Sequence, residues 1–390
     1  MKIFGNLDEK TVEQINELQS HPMFRGRSRF MPDAHAGKGC VIGTTVVISD
    51  VVIPNVVGVD ISCGMLAVKL KTKSVDFEKL DNFIRANIPL GKHHNKEVRK
   101  DADQSVIDDV IGLVEGITDN KKAVSRVVRS LGTLGGGNHF IEIGKDSKEN
   151  LWLVIHTGSR SLGTLVAAHF QSVAHRHTEA NQDRAVRDLI TYLKEEGKEK
   201  EIPESLKRLK SASIQDTKDL GYLEGVELQK YLHACDVCNR YANENRRLIA
   251  KSVVDYLGGG YESIQCNHNY IDVKNSIVRK GAISAQKDEK VIIPLNMRDG
   301  IILGTGKGNA DWNFSAPHGA GRLMSRREAH REVKLEDFKS SMEGIFSTCI
   351  DNERIDESPF AYKPAQEIID AIEPTVSIDE LLKTVYNIKG

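Results

Sequence analysis

The chain has 390 residues, 39% of them hydrophobic and 28% charged, proportions typical of a folded globular protein. Its formal net charge of −1 excludes a global basic field, so a nucleic-acid partner would have to bind a local basic patch. The first residues carry charge where a signal peptide is apolar, and no apolar run reaches the roughly 18 residues that span a bilayer. We therefore expect a cytoplasmic protein without membrane contact.

Strand and helix patterns are mixed along the first part of the chain. Residues 40–72 are rich in Val, Ile and Thr and are broken by Gly, Pro and Asn, which predicts two or three strands. Residues 76–88 and 101–117 carry apolar side chains at three- and four-residue spacing, which predicts amphipathic helices. Residues 139–144 and 151–163 have strand composition again.

A long charged segment follows. Residues 165–256 have helical composition and are predicted to form a central helical insertion, with an exposed break near Pro203. From residue 324 to the end we predict mostly helix. Between these helical regions, strand composition returns in residues 261–273, 275–285, 290–297 and 301–306. The predicted fold is α+β, a single domain over residues 1–390 with mixed β-sheets at the core and helices around them.

Six cysteines are scattered along the chain, at Cys40, Cys63, Cys235, Cys238, Cys266 and Cys349. This sparse use is typical of a reducing compartment, in which a thiol is buried, ligates a metal or reacts. Cys235 and Cys238 form a CxxC pair, but no second pair accompanies it and the surrounding pattern is helical. We therefore predict that both are ordinary helix residues and not a zinc site.

Two short segments combine metal-capable side chains with glycine. In GVDISCGM, residues 58–65, glycines suit a tight turn that would aim Asp60 and Cys63 at one point, although Cys63 could equally be a small buried side chain. In GTLGGGNHFIEI, residues 132–143, three glycines could present backbone amides to an anion just before His139. The alternative there is a plain glycine turn before a strand.

Two further histidines follow strand-like residues, His156 in VIHTGSR and His268 in CNHNY. Either one alone is more often structural than a ligand. Together with Asp60, Cys63 and His139 they would suffice for two metal ions if the cysteine bridged them. By intrinsic affinity this mixture of thiolate and imidazole favours zinc.

The segment GTGKGNADW, residues 304–312, is similar to a phosphate-binding loop but lacks its defining residue. Gly308 follows Lys307 where the P-loop requires Ser or Thr, so we predict no P-loop nucleotide site. By contrast SAPHGAGRLMSR, residues 315–326, leaves His318 among small residues, which suits a histidine that must meet a phosphate directly.

Nine segments, in chain order, resemble the RtcB family of RNA-splicing and RNA-repair ligases. They are PDAHAGKG, GVDISCGM, GTLGGGNHFIE, HTGSRSLG, CNHNY, RKGAISA, IIPLNM, PHGAGRLMSR and a terminal KG. The resemblance runs from about Met31 to Gly390. Each segment alone is modest, but nine in order are highly specific.

The resemblance implies a site with two manganese ions around a shared cysteine. The metal ligands it implies are Asp60, Cys63, His139, His156 and His268. It implies that His318 is the catalytic nucleophile that takes up GMP from GTP. The implied nucleotide-binding residues are Asn138, His139, Phe140, Ile141, Glu142, His268, Asn269, Pro294, Leu295, Asn296, Met297, His318, Gly319, Ala320, Gly321 and Lys389.

The implied reaction is RNA joining. GMP passes from His318 to an RNA 3′-phosphate, a 5′-hydroxyl of the second RNA end attacks that phosphate, and GMP leaves; a 2′,3′-cyclic phosphate is first opened to the 3′-phosphate. The implied partners are GTP and broken or spliced RNA, above all tRNA, and the resemblance leaves open whether an activating protein takes part. Two alternatives remain at this point, a dinuclear metal-dependent phosphoesterase with the same cluster and a non-catalytic RNA-binding protein.

The chain departs from the family pattern at the rim of the implied pocket. Ser62 stands where glycine is usual, Ala316 and Pro317 precede His318, and Asn296 replaces a serine. A second serine is missing near Ile301. For RNA contacts we predict two basic clusters, Lys92–Lys100 and Arg326–Arg331, because phosphate contacts dominate nucleic-acid affinity.

Overall fold

The computed structural model describes residues 1–19, 21–24, 26–212 and 219–390, and the predicted α+β class is confirmed. The α-helices are α1 (Glu9–Leu18), α2 (Phe77–Asn87), α3 (Gln104–Ile117), α4 (Lys121–Arg129), α5 (Arg160–Glu195), α6 (Ile202–Ala212), α7 (Gly225–Tyr256), α8 (Arg326–Glu332), α9 (Leu335–Ser341) and α10 (Ala365–Ala371).

The strands are β1 (Lys2–Ile3), β2 (Ser28–His35), β3 (Ile42–Val47), β4 (Val51–Val52), β5 (Gly64–Leu70), β6 (Phe140–Lys145), β7 (Leu151–Thr157), β8 (Leu223–Glu224), β9 (Gly260–Asn267), β10 (Asn269–Asp272), β11 (Ile277–Lys280), β12 (Ala282–Ser284), β13 (Lys290–Asn296), β14 (Gly300–Gly306), β15 (Ser315–Pro317) and β16 (Val376–Lys389).

A seven-stranded sheet forms the centre, in the order β13-β14-β16-β6-β7-β5-β9, and its neighbouring strands are antiparallel. Every residue of β7 is buried, which explains its nearly continuous apolar sequence, since both faces of the strand are covered. A five-stranded sheet, in the order β1-β2-β3-β11-β10, lies beside it, and a two-stranded sheet of β12 and β15 ends just before His318.

Most elements predicted from the sequence are present. Residues 40–72 contain three strands, β3, β4 and β5, and the two amphipathic helices are α2 and α3. Each of these helices begins after an aspartate whose carboxylate accepts a hydrogen bond from a first-turn amide, Asp76 for α2 and Asp103 for α3.

The prediction for the C-terminal region is wrong in its last part. Helices α8 to α10 are present, but residues 376–389 form the 14-residue strand β16, which lies between β14 and β6. The stretch Asp379–Lys383 has good helix formers, so its local preference is for helix. Pairing with two neighbouring strands outweighs that preference, because strand formation depends on distant partners.

The charged helical segment forms α5, α6 and α7, while residues 213–218 lie outside the described part of the chain. Pro203 lies in the first turn of α6, where its missing N–H costs little, and the break is just before it. Helix α7 packs on β5 and β7 and buries Cys235 and Cys238, which are helix residues as predicted. Among the described residues, no helix is long and apolar enough to cross a bilayer.

Candidate active site

Four strands of the central sheet bring metal-capable side chains together at the same end of the sheet. Cys63 immediately precedes β5 and His139 immediately precedes β6, whereas His156 lies near the end of β7 and His268 follows β9. Because β7 pairs antiparallel with both β5 and β6, and β9 pairs antiparallel with β5, these starts and ends coincide. The four positions were predicted from the sequence, and the structure brings them together.

The ligand atoms are within contact distance of one another. Cys63 Sγ lies 3.4 Å from His139 Nε2 and 3.2 Å from His156 Nε2. His156 Nε2 lies 3.3 Å from His268 Nε2, and Asp60 Oδ2 lies 3.0 Å from His139 Nε2. The cysteine and the three histidines are buried. Cys63 therefore occupies the centre of the cluster.

Hydrogen bonds on the far side of two rings determine which nitrogen carries the proton. His139 Nδ1 lies 3.0 Å from the Leu134 carbonyl and His156 Nδ1 lies 3.1 Å from the Asn138 carbonyl. A carbonyl only accepts, so each Nδ1 carries hydrogen and each Nε2 directs a lone pair into the cluster. Several lone pairs converging on one buried volume are complementary to a cation, so these residues fit a metal centre.

Burial supports the same conclusion. It lowers the pKa of His156 and of His268 well below the usual range, so both rings stay neutral at pH 7. Burial and the adjacent Asp60 carboxylate raise the pKa of the Cys63 thiol well above its ordinary value. The thiolate would therefore form at neutral pH only with a bound cation to stabilise it.

Two residues of α7 that the sequence analysis did not single out support the cluster from behind. Arg246 donates to the Ser62 carbonyl at 3.1 Å and to the Thr157 carbonyl at 2.7 Å. The neighbouring Asn245 side chain accepts from the Gly132 amide at 2.7 Å. Burial lowers the pKa of Arg246 to about 10, which leaves the guanidinium charged at pH 7. The sequence signal that could have identified Asn245 and Arg246 is their position as polar residues on the buried side of the amphipathic helix α7.

Gly158 has a direct steric role at the cluster. A Cβ atom at this position would lie 2.3 Å from Asp60 Oδ1, which excludes any larger residue without moving that carboxylate. The loop after β7 therefore needs glycine here so that Asp60 can reach the cluster.

Ser62 adopts a backbone conformation that favours glycine. Its φ is 61°, and its buried hydroxyl has no hydrogen-bond partner among the described residues. We expect Ser62→Gly to raise the free energy of unfolding by about 1 kcal/mol, because it removes both the left-handed strain and an unpaired hydroxyl. Thermal unfolding would measure this, with Ser276→Gly as control, since Ser276 has a φ of 54° at an exposed turn. A lower melting temperature for Ser62→Gly than for wild type would contradict the expectation.

His318 lies beside the metal cluster, its ring centroid 5.0 Å from that of His268. Its Nδ1 is 2.7 Å from Asp33 Oδ2, and its backbone N–H donates to the same oxygen at 3.2 Å. The fully buried Asp33 therefore holds the ring with hydrogen on Nδ1 and the lone pair on Nε2. Asp33 was missed because one aspartate in a strand has no local signature of this role.

A cavity of about 380 Å³ opens over His318 and the Cys63 cluster. It is lined by most of the predicted nucleotide residues: Asn138, Phe140, Glu142, His268, Asn269, Pro294, Leu295, Asn296, Met297, His318, Gly319, Ala320, Gly321 and Lys389. Ile141 differs, because its side chain packs in the core with Ile143 and Ile155. His139 belongs to the Cys63 cluster and does not line the cavity. The cavity also has walls that were not predicted: His35, Lys38, Lys280, Arg322, Arg326, Glu357, Tyr362 and Asn387.

Charged groups converge at the part of the cavity formed by β6 and β16. Lys389 Nζ lies 2.8 Å from Glu357 Oε2, and both side chains are buried. Burial raises the pKa of Glu142 to about 7, although hydrogen bonds from Thr384 and Asn387 act in the opposite direction. Glu142 therefore exchanges its proton near neutral pH.

At the rim, Asn296 has a structural task. Its side-chain oxygen accepts hydrogen bonds from the backbone amides of Arg298 and Asp299, both at 2.9 Å, and its Nδ2 donates to Asp299 Oδ2 at 2.7 Å. The asparagine that replaces a serine here therefore closes the turn between β13 and β14.

Comparison with known proteins identifies the family of this chain. Residues 14–390 match the family model described as tRNA-splicing ligase RtcB. The RNA-splicing ligase RtcB of Escherichia coli (strain K12) is 30% identical over 97% of this chain and 93% of its own length. The tRNA-splicing ligases RtcB of Methanococcus maripaludis and Archaeoglobus fulgidus are 27% and 25% identical, over 94% and 95% of this chain and 88% and 89% of their own lengths. The chain therefore belongs to the RtcB family of tRNA-splicing ligases.

Proposed function

We propose that this protein is a GTP- and manganese-dependent RNA ligase. It joins RNA ends with a 3′-phosphate or 2′,3′-cyclic phosphate to 5′-hydroxyl ends through a covalent His318–GMP intermediate. The observation that carries the proposal is the Asp33–His318 pair, which leaves an unprotonated Nε2 at the boundary between the Cys63 cluster and the cavity.

His318 acts as the nucleophile. Its Nε2 forms a bond to the α-phosphorus of GTP, the bond from that phosphorus to the bridging oxygen breaks, and pyrophosphate leaves. The Asp33 carboxylate holds Nδ1–H and stabilises the positive charge that develops on the ring. An RNA 3′-phosphate oxygen then displaces His318 from phosphorus, which transfers GMP to the RNA. Attack by a 5′-hydroxyl on the RNA phosphate forms the new linkage and releases GMP.

Asp60, Cys63, His139, His156 and His268 would hold the two manganese ions, which would supply positive charge to the phosphate oxygens when bound. Gly319 lines the cavity next to His318 without a side chain, whereas a Cβ atom at Gly321 would lie 2.4 Å from the Asp33 carbonyl oxygen, so this glycine lets the chain pack against the strand that holds Asp33. Family membership supports manganese, whereas the ligand types alone favour zinc. Metal content after purification and activity with each ion would decide between them.

Labelled GTP tests the first step directly. Incubation with manganese should produce an acid-labile, base-stable protein–GMP adduct, as a phosphorus–nitrogen bond to histidine requires. Phosphoester hydrolysis without any adduct would instead favour a dinuclear phosphoesterase.

Ligation of RNA with 3′-phosphate, cyclic phosphate and 3′-hydroxyl ends would then identify the substrate, and the relatives' names point to tRNA. We expect these RNA ends to be met in the cytoplasm.

For the RNA path, the loop of residues 91–100 is better suited than α8. Arg326 pairs with Asp356 and Glu357, and Arg331 pairs with Glu332, so these guanidiniums already have anionic partners. The 91–100 loop joins the site directly, since the Gly91 amide donates to the Gly135 carbonyl at 2.8 Å. In this loop and α4, the exposed cations without an ion pair to a described residue are Lys92, Lys96, Lys100, Lys121, Lys122 and Arg126.

We expect the double variant Lys92→Gln/Lys96→Gln to bind RNA more weakly and with a flatter salt dependence. The log–log slope should fall by about 1 to 2, since each lost phosphate contact removes about 0.9. Fluorescence anisotropy at several salt concentrations measures the slope. The adduct with GMP should form at the wild-type rate. Lys194→Gln/Lys200→Gln, on exposed positions of α5 and the turn after it, is the matched control. Equal slopes for all three proteins would rule out this path.

A further inference from the structure

Strands β6 and β16 present four cavity-lining side chains on one face of the central sheet. Phe140 pairs with Lys389 and Glu142 pairs with Asn387 across the two strands. Directly paired residues of an antiparallel sheet place their side chains on the same face. All four residues line the cavity next to His318. Together these four residues form one wall of the cavity.

The orientation of the Asn387 amide is determined by its neighbour. Its Nδ2 donates to Glu142 Oε2 at 2.8 Å, and Thr384 Oγ1 donates to the other carboxyl oxygen at 2.9 Å. The carboxylate selects the amide nitrogen, so Asn387 Oδ1 must face away from Glu142. That oxygen is buried and has no hydrogen-bond partner among the described residues.

Buried acceptors in folded proteins nearly always have a donor, and here the residue lines a ligand cavity. Asn387 is 1% exposed, so water has little access to donate a hydrogen bond to its unpaired oxygen. Two residues along the same strand, Lys389 brings a cationic donor to the same wall. The wall thus offers an acceptor and a donor separated by roughly 6.6 Å of extended backbone.

This pattern matches one purine. Guanine presents a 2-amino donor at one end of its base-pairing edge and the O6 acceptor at the other, whereas adenine has no 2-amino group and carries a donor in place of O6. We infer that Asn387 is a base-specificity residue whose Oδ1 accepts a hydrogen bond from the 2-amino group of the guanine nucleotide taken up by His318. The inference rests on the proposed function and adds a contact that selects the base.

Inosine triphosphate isolates this contact, because it differs from GTP only in lacking the 2-amino group. Rates of adduct formation with GTP and ITP would be compared for wild type and Asn387→Ala. Wild type should prefer GTP, and the variant should reduce the GTP-to-ITP ratio by about tenfold, the effect of one hydrogen bond. The rate with ITP should fall only as far as it does in Thr384→Val, because each variant removes one hydrogen bond to Glu142.

Thr384→Val is the matched control, since it removes the other hydrogen bond to Glu142 and leaves the Asn387 oxygen in place. It should slow GTP and ITP equally. If Asn387→Ala also slows both equally, Asn387 merely positions Glu142 and the inference fails, while the proposed function stands. Asn387→Leu, which preserves volume, replaces Asn387→Ala if that protein does not fold. Absence of any adduct in wild type would instead overturn the proposed function together with the inference.

Discussion

His318→Ala should reduce labelling of the protein by GTP to background, a fall of at least about 10³-fold, while its metal content is unchanged. The reason is geometric. Asp33 holds Nδ1 at 2.7 Å, which leaves Nε2 as the free nucleophile, whereas the cluster around Cys63 is built from other side chains. Removing the ring would thus remove the proposed nucleophile and leave the residues of the Cys63 cluster in place.

Adduct formation would be followed on denaturing gels and metal content by mass spectrometry. His175→Ala is the control, because this histidine lies on α5 and does not line the cavity. A His318→Ala protein that still acquires GMP at the wild-type rate would show that another residue is the nucleophile.

Cys63→Ala should lose metal and adduct formation together. Its sulfur is the only atom of the cluster within 3.4 Å of both His139 Nε2 and His156 Nε2 among the described hydrogen-bond contacts. Loss of this central ligand should weaken metal binding by more than about 100-fold, beyond the effect of losing a supporting residue. Manganese at 100 times its dissociation constant should stabilise wild type by about 2.7 kcal/mol and this variant hardly at all.

Thermal unfolding with and without manganese measures that difference. Cys235→Ala is the matched control, since this thiol is equally buried but lies in α7, outside the cluster. A Cys63→Ala protein that keeps its full metal content would exclude the cysteine as a shared ligand.

Local patterns predicted the elements of this fold better than their arrangement. Residues 40–72 and 139–157 revealed their strands through β-branched and apolar runs, and the histidines of the cluster were visible as polar residues at strand ends. The order of the central sheet was not predictable, because its pairs join residues far apart in the chain, such as Gly64 with Asn267. Strand β16 was misassigned for the same reason.

The residues of the site likewise divide into those that could be predicted from the sequence and those that could not. The ligands and His318 belong to motifs that resemble a known family, so they could be named from the sequence. Asp33, Arg246 and Asn387 could not, because their importance lies in tertiary contacts: Asp33 with His318, Arg246 with the Ser62 and Thr157 carbonyls, and Asn387 with Glu142. An isolated polar residue within a strand has no periodic signature that distinguishes such a contact from a surface position, and for Arg246 the one available signal was its place on the buried side of α7.

The backbone carbonyls that hold His139 and His156 have a consequence for ion selection. Since the Leu134 and Asn138 carbonyls orient both rings without help from an ion, these two histidines would need little rearrangement when a cation binds. The ion that occupies the site would then be set by its affinity for the thiolate and imidazole ligands and by its free concentration, and a cell could tune this ligase through its metal supply.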